Sequence, residues 1–210
     1  MILLKHFVVR KSLWILFVVL ALLVGLYPAI YFLVDRQFGL LSSKSNELLA
    51  NIFWNSAFYT HIILGGIALL IGWSQFSSKI RTRNTSLHRR LGKTYVIAVI
   101  LSAVAAIYIG FFASGGIVSA LGFICLGIVW LSITTVAYLS IRKGQILKHQ
   151  KMMTYSYAAC FAAVTLRIWL PLLISYFGDF ITAYRIVAWL CWVPNLIVAY
   201  FITRRLEIHK

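Results

Sequence analysis

Acid is what this chain has least of. Only four of its 210 residues are Asp or Glu, against 20 Lys and Arg, and the formal net charge is +16. Asp35, Glu47, Asp179 and Glu207 all fall outside the long apolar runs. Paired-carboxylate hydrolysis and carboxylate-rich metal sites are thereby excluded. A proton or cation pump is disfavoured too, because such a protein usually needs an ionisable acid at membrane depth. Cysteine is equally sparse. Cys125, Cys160 and Cys191 lie within apolar runs, at spacings that match no metal or redox motif, and read as small buried hydrophobes. No nucleotide-binding glycine loop, low-complexity tail, soluble domain or clear internal repeat is present. Nor are there matched Gly/Pro-interrupted helices of the kind that carry transport sites.

What fills the chain is hydrocarbon: 62% of its residues are hydrophobic and only 11% are charged. A soluble domain cannot hide so much apolar surface, so the composition defines an integral membrane protein. Six runs reach the roughly 20 residues that a spanning helix needs. They cover 12–34, 54–76, 91–113, 117–140, 152–176 and 185–203, which predicts an all-α, six-span bundle formed by residues 1–210 as one domain. The first run has basic residues ahead of an apolar core, like a secretory signal. It is too long for one and lacks a small-x-small cleavage site, so it reads as an uncleaved helix. The segment 35–53 is the longest connection and has room for a short surface helix.

The basic residues cluster between the runs. Lys79, Arg81, Arg83, Arg89, Arg90 and Lys93 mark one connection, and Arg142, Lys143, Lys148 and Lys151 another. Lys5, Arg10 and Lys11 precede the first span, and Arg204, Arg205 and Lys210 follow the last. The alternate connections hold only Arg36, Lys44 and Arg185. This asymmetry is a topology signal. It places both termini and the two basic loops in the cytoplasm of a bacterial inner membrane, with anionic lipid rather than nucleic acid as the basic face's partner.

Ionisable and polar groups near or inside the spans are the candidates for function. His88 and His149 begin the third and fifth spans from the same basic side. His61 lies within the second span and Arg167 within the fifth. His61, Gly65, Ala68, Gly72 and Gln75 recur at helical spacing and form a mostly small stripe, which admits a close helix or a flat cofactor. On the fifth helix His149 and Arg167 are five turns apart, sharing a face over about 27 Å. Two polar zones follow: one around His88, His149 and Gln75, the other around His61, Arg167 and Asn195. Gln75 and Asn195 read first as interhelical hydrogen-bonding residues. Trp54, Trp73, Tyr95, Tyr176 and Tyr184 mostly fit interfacial belts.

Neutral imidazole is a good axial ligand for haem iron, and helix bundles hold such cofactors between facing helices. If the third and fifth spans are close, His88 and His149 flank one haem b, with Arg89, Lys93 and Lys151 available to its propionates. The same pair reads otherwise as solvated interfacial histidines. His61 has no histidine partner at its depth. Arg167 beside it suits an anionic group or a quinone carbonyl. Three functions stay open. One is a haem-linked membrane oxidoreductase exchanging electrons with quinone or another membrane redox partner. The second is a non-enzymatic assembly factor or sensor. The third is a small-anion transporter using Arg167 and His61.

A resemblance joins several of these residues. His61, Gly72-Trp73-Ser74-Gln75-Phe76, Arg81 with Arg83, and His88-Arg89-Arg90-Leu91-Gly92-Lys93-Thr94-Tyr95 form its first part. His149-Gln150-Lys151-Met152-Met153, Arg167 and Asn195 complete it. The set resembles a bacterial family of predicted membrane proteins, the domain of unknown function twenty-three-oh-six. That likeness covers the second to sixth spans and implies a multi-pass membrane protein without specifying an activity. More distantly, Ser86-Leu87-His88-Arg89-Arg90-Leu91-Gly92 is similar to the histidine-bearing segment of six-helix, ascorbate-reducible transmembrane cytochromes b. Those proteins hold two haems with four histidines on the central four helices. The fourth span here has no histidine, so the likeness implies one haem at most.

Overall fold

With no water in a bilayer core, an apolar chain must satisfy its amides internally, and a helix does so within one segment. The computed structural model describes residues 2–33 and 39–208. Asp35, Arg36 and Lys210, counted in the charge argument above, lie outside the described residues, as do the side chains of Lys5, Arg10 and Glu207. The described regular elements are all helical: α1 (Ile2–Leu26), α2 (Asn46–Ala50), α3 (Ile52–Gly72), α4 (Ser78–Arg83), α5 (Thr85–Gly110), α6 (Ile117–Arg142), α7 (Ile146–Cys160), α8 (Ala162–Phe177), α9 (Phe180–Leu190) and α10 (Val193–Ile208). Tighter 3-10 turns occupy Tyr27–Phe32, Gly39–Ser43 and Trp73–Phe76. The helix α2 is the short one expected in the long connection.

Six stretches are long and apolar enough to span: Lys11–Phe32, Ile52–Phe76, Thr85–Gly110, Ile117–Arg142, Ile146–Phe177 and Phe180–Arg205. The third starts at Thr85 rather than 91, and the fifth at Ile146 rather than 152. The cause at the third is capping: the Asn84 side chain accepts a hydrogen bond from Leu87 N at 2.9 Å and starts the helix inside the basic segment. His88 and His149 are therefore helical residues with fixed directions, not loop residues at a span's edge.

The second to fifth spans form the bundle's centre. The helix α3 packs on α5, α5 on α6, α6 on α7, and α7 closes the ring against α3. The third and fifth spans are thus diagonal partners. The first span lies against α3 and α8, while the sixth lies against α6 and α8 through α9 and against α7 through α10. Small residues set the crossings, as expected where lipid gives no hydrophobic drive for helix association. A Cβ on Gly66 would stand 2.7 Å from the Gly25 carbonyl, and one on Gly122 would stand 2.8 Å from the Ala188 carbonyl. The tightest approach is at Gly72, where a Cβ would collide with the Tyr157 ring and come within 2.8 Å of Tyr95.

The structure corrects the picture of unbroken helices. The fifth span is interrupted at Phe161, where Val164 N turns back to Phe161 O at 2.9 Å. The sixth is interrupted at Cys191–Trp192, immediately before α10 and Pro194, which has no N–H to donate. The two breaks face each other. Thr165 Oγ1 donates to the Cys191 carbonyl at 2.5 Å, and Asn195 Nδ2 donates to Cys191 O at 3.0 Å, Ala158 O at 3.2 Å and Thr165 Oγ1 at 3.2 Å. Asn195 is an interhelical fastener, as its residue type suggested, and does not join the zone around Arg167. The break also means that the five-turn alignment of His149 with Arg167 does not run along one continuous helix.

Away from the basic loops, the segment 39–51 folds over the bundle's other end. Leu41 is buried with Trp54 and Phe58, and Leu40 packs in the cluster of Tyr184, Val187 and Trp192. Lys44 pins the segment. Its Nζ donates to the Phe112 carbonyl at 2.5 Å and to Ser114 Oγ at 3.0 Å.

Two predictions follow from this packing. Gly72→Ala overfills the α3–α7 contact and costs about 1–3 kcal/mol, seen as a lower melting temperature of the detergent-solubilised protein. Partial burial lowers the Lys44 ammonium from 10.5 to about 8. Below pH 8 the group is charged whether the chain is folded or unfolded, and its burial cost is complete. Between about pH 8 and 10.5 the unfolded chain holds the extra proton, so the Lys44 contribution to stability rises with pH. Thermal melts across that range should show a smaller rise for Lys44→Gln than for the wild type.

Candidate functional site

At the heart of the bundle, hydroxyls from three spans form one directed chain. Thr134 Oγ1 donates to the Trp130 carbonyl at 2.7 Å, which uses its proton. Ser156 Oγ, 2.6 Å away, must then donate to Thr134, and Tyr95 Oη must donate to Ser156 at 2.8 Å. Tyr95, Thr134 and Ser156 are all completely buried. The Tyr157 hydroxyl adds a bond to the Leu69 carbonyl at 3.0 Å, just before α3 tightens into its 3-10 turn.

This chain fixes the relation of the diagonal spans and hence of the two basic-end histidines. His88 precedes Tyr95 by seven residues on α5, and His149 precedes Ser156 by seven on α7. Seven residues are close to two whole turns, about 10 Å along a helix. Each histidine therefore lies above one member of a hydrogen-bonded pair, on the same inward face and at the same level. His149 acts electrostatically on His88. His149 Nδ1 donates to the Ala137 carbonyl at 2.8 Å, which orients the ring and leaves Nε2 with its lone pair in the neutral form. His88 Nδ1 is buried without a hydrogen-bond partner. Gln75 lies beside them, its Oε1 3.2 Å from where a Cβ on Gly92 would stand.

Three groups of cations lie around the two histidines. Arg89 and Lys93 line an open surface recess with Thr85, Ser86 and Arg90, roughly 100–140° around α5 from His88. Lys148 and Lys151 line a second recess around the start of α7. Arg81, on α4, is the cation with the largest electrostatic effect on His88. Its role was hidden in the sequence, where it read as one more topology anchor. The available signals were its place shortly before the histidine and its inclusion among the residues that carry the family resemblance.

The aromatic belt also needs correction. Trp54, Tyr95 and Tyr184 are buried, with exposures of 2%, 0% and 5%, whereas Tyr176 is 82% exposed. Position near the end of a span does not tell which way a ring faces.

The second zone forms where α3, α8 and the turn after α1 meet. Ser102 Oγ donates to the His61 carbonyl at 3.0 Å. Its proton is then spent, so His61 Nδ1 donates to Ser102 Oγ at 3.0 Å and Ser102 O at 3.2 Å. Nε2 is left as an acceptor. The Arg167 guanidinium stacks on the Tyr27 ring at 4.2 Å and donates from Nη1 to the Ala163 carbonyl at 2.9 Å. Arg167 Nε is buried with no partner. Arg167 acts electrostatically on His61, Tyr27 and Tyr31.

A polytopic helical-bundle membrane protein with two separate polar zones is thus defined, one at the basic end and one in the opposite half. The sequence of the predicted membrane protein family DUF2306 matches over residues 58–203, and the chain belongs to that family. The matched region holds His61, His88, His149 and Arg167 and omits the first span. No curated protein and no solved structure matches the chain.

Ser156→Ala removes the middle of the hydroxyl chain and leaves Tyr95 without an acceptor. It should cost about 1–2 kcal/mol, near the upper end for interhelical hydrogen bonds in membranes, read as a lower unfolding midpoint in a denaturing-detergent titration.

Proposed function

We propose that this protein is a membrane redox protein that holds one b-type haem between His88 and His149 at its basic end. The observation that carries this reading is the shared register of the two imidazoles above the Tyr95–Ser156 bond on diagonal spans. The donor set fits the group. His149 has its Nδ1 committed to a carbonyl, which leaves the Nε2 lone pair as the atom that would hold the iron, and His88 has a buried ring nitrogen without a partner. When bound, the haem would supply one-electron transfer between its ferric and ferrous states.

The chain's own residues would perform the rest. His88 and His149 bind. The Ala137 carbonyl fixes the tautomer and direction of His149. The hydroxyl chain beneath the pair holds the two helices at a fixed separation. Arg81 and Arg89 place positive charge near His88 and would offset propionate charge there. Electrons would pass to or from quinone or another membrane redox partner. The site faces the cytoplasm if the basic loops follow the positive-inside rule in a bacterial inner membrane.

The test is an absorption spectrum of detergent-purified protein from haem-replete cells, oxidised and dithionite-reduced, with a pyridine haemochrome assay. The expected result is sharp Soret and α bands that disappear in both His88→Ala and His149→Ala. Colourless wild-type protein would overturn the reading, and so would bands that survive either substitution.

A further inference from the structure

A guanidinium deep in a bundle is costly without a counter-charge. Arg167 has none among the described residues. The two described acids with placed side chains lie elsewhere: Glu47 is exposed on α2, and Asp179 caps α9 through Thr182 N at 2.7 Å. The geometry of what remains unpaired on Arg167 is specific. Nη1 is committed to the Ala163 carbonyl and the flat face to Tyr27, which leaves the Nε–Nη2 edge. That edge presents two parallel N–H groups, the fork that takes a carboxylate through both oxygens. Nε on that edge is buried and unpaired.

The surroundings narrow the ligand further. Arg167 and His61 are both only partly buried, and both lie within stretches long and apolar enough to cross a membrane. Tyr27 and Tyr31 make an aromatic wall, their ring centroids 5.9 Å apart. The wall is roofed at Gly39, whose Cβ would stand 3.6 Å from the Tyr31 hydroxyl and 3.8 Å from that of Tyr27. The partly exposed side of the pair leaves access from outside the bundle. We infer that Arg167 and His61 form a binding site for the carboxyl group of a membrane-soluble acyl acid, with the guanidinium edge gripping both oxygens. His61 Nε2, an acceptor in the neutral ring, meets the O–H of the acid when it is protonated. This site is independent of the histidine pair at the basic end.

The experiment uses the full-length protein in lipid nanodiscs and measures binding of the fluorescent fatty acid cis-parinaric acid. Saturable binding is expected, displaced by oleic acid but not by methyl oleate or by acetate. Arg167→Lys keeps the charge and loses the fork, and should weaken binding about tenfold or more. His88→Ala should bind like the wild type, which separates this site from the proposed haem site. Absence of saturable binding in folded wild-type protein would overturn the inference. Equal competition by methyl oleate would remove the carboxylate from it, and equal competition by acetate would remove the acyl chain. Displacement by ubiquinone in preference to oleic acid would reassign the edge to a neutral carbonyl. If Arg167→Lys does not fold, the comparison of acid with ester on the wild type still decides.

Discussion

The arrangement of this bundle depends on a short run of hydroxyls. Tyr95 donates to Ser156, Ser156 to Thr134 and Thr134 to the Trp130 carbonyl, so each proton is used and the direction of the chain is fixed. In a low-dielectric interior such a run strengthens itself, and any broken link leaves a buried polar group unpaired. The run ties the third, fourth and fifth spans together at one level. Tyr157 adds the second span through the Leu69 carbonyl, and Gly72 permits the approach because it has no side chain. The crossing point of four helices is thereby set by side chains that a hydropathy profile scores as neutral. The register of the two histidines beyond it is a consequence.

A chain with almost no acid must satisfy its buried donors in another way, and the backbone supplies the acceptors. His149 uses the Ala137 carbonyl, His61 is held in a reciprocal pair with Ser102, and Arg167 uses the Ala163 carbonyl and the face of Tyr27. Interrupted helices provide more acceptors. The breaks at Phe161 and Cys191 expose carbonyls that Thr165 and Asn195 capture, which joins the last two spans where neither could remain a regular helix. Irregular backbone at membrane depth persists only where protein re-satisfies it, and here two polar side chains do so. The unpaired Arg167 edge and the unpaired His88 nitrogen stand out against this economy, and both proposed binding sites include one of them.

Much of the fold was legible because period and length are strong signals. The six spans, the short helix before the second one and the small stripe from His61 to Gln75 all follow from the patterning of apolar and small residues. The starts of the third and fifth spans were not legible. Asn84 caps a helix whose first turns are as basic as a loop, and composition cannot separate the two. Tyr95 shows the same limit from another side. Near the end of a run it reads as an interfacial ring, yet its face on α5 points at Ser156 and it is fully buried. Arg81 was indistinguishable from its basic neighbours until α4 placed it beside His88.

The sequence alone determined that this chain has six runs long and apolar enough to cross a membrane and one basic end, and it singled out His61, His88, His149 and Arg167 as the candidates for function. These conclusions rest on transfer energies and charge asymmetry, which add along the chain and need no knowledge of neighbours. Only the tertiary structure decided which helices are diagonal, that His88 and His149 occupy one level, and that the Nε–Nη2 edge of Arg167 is left free. Those facts depend on helix order around the bundle, on two backbone breaks and on side-chain direction. Contacts between distant segments set each of them, and hydropathy does not encode those contacts.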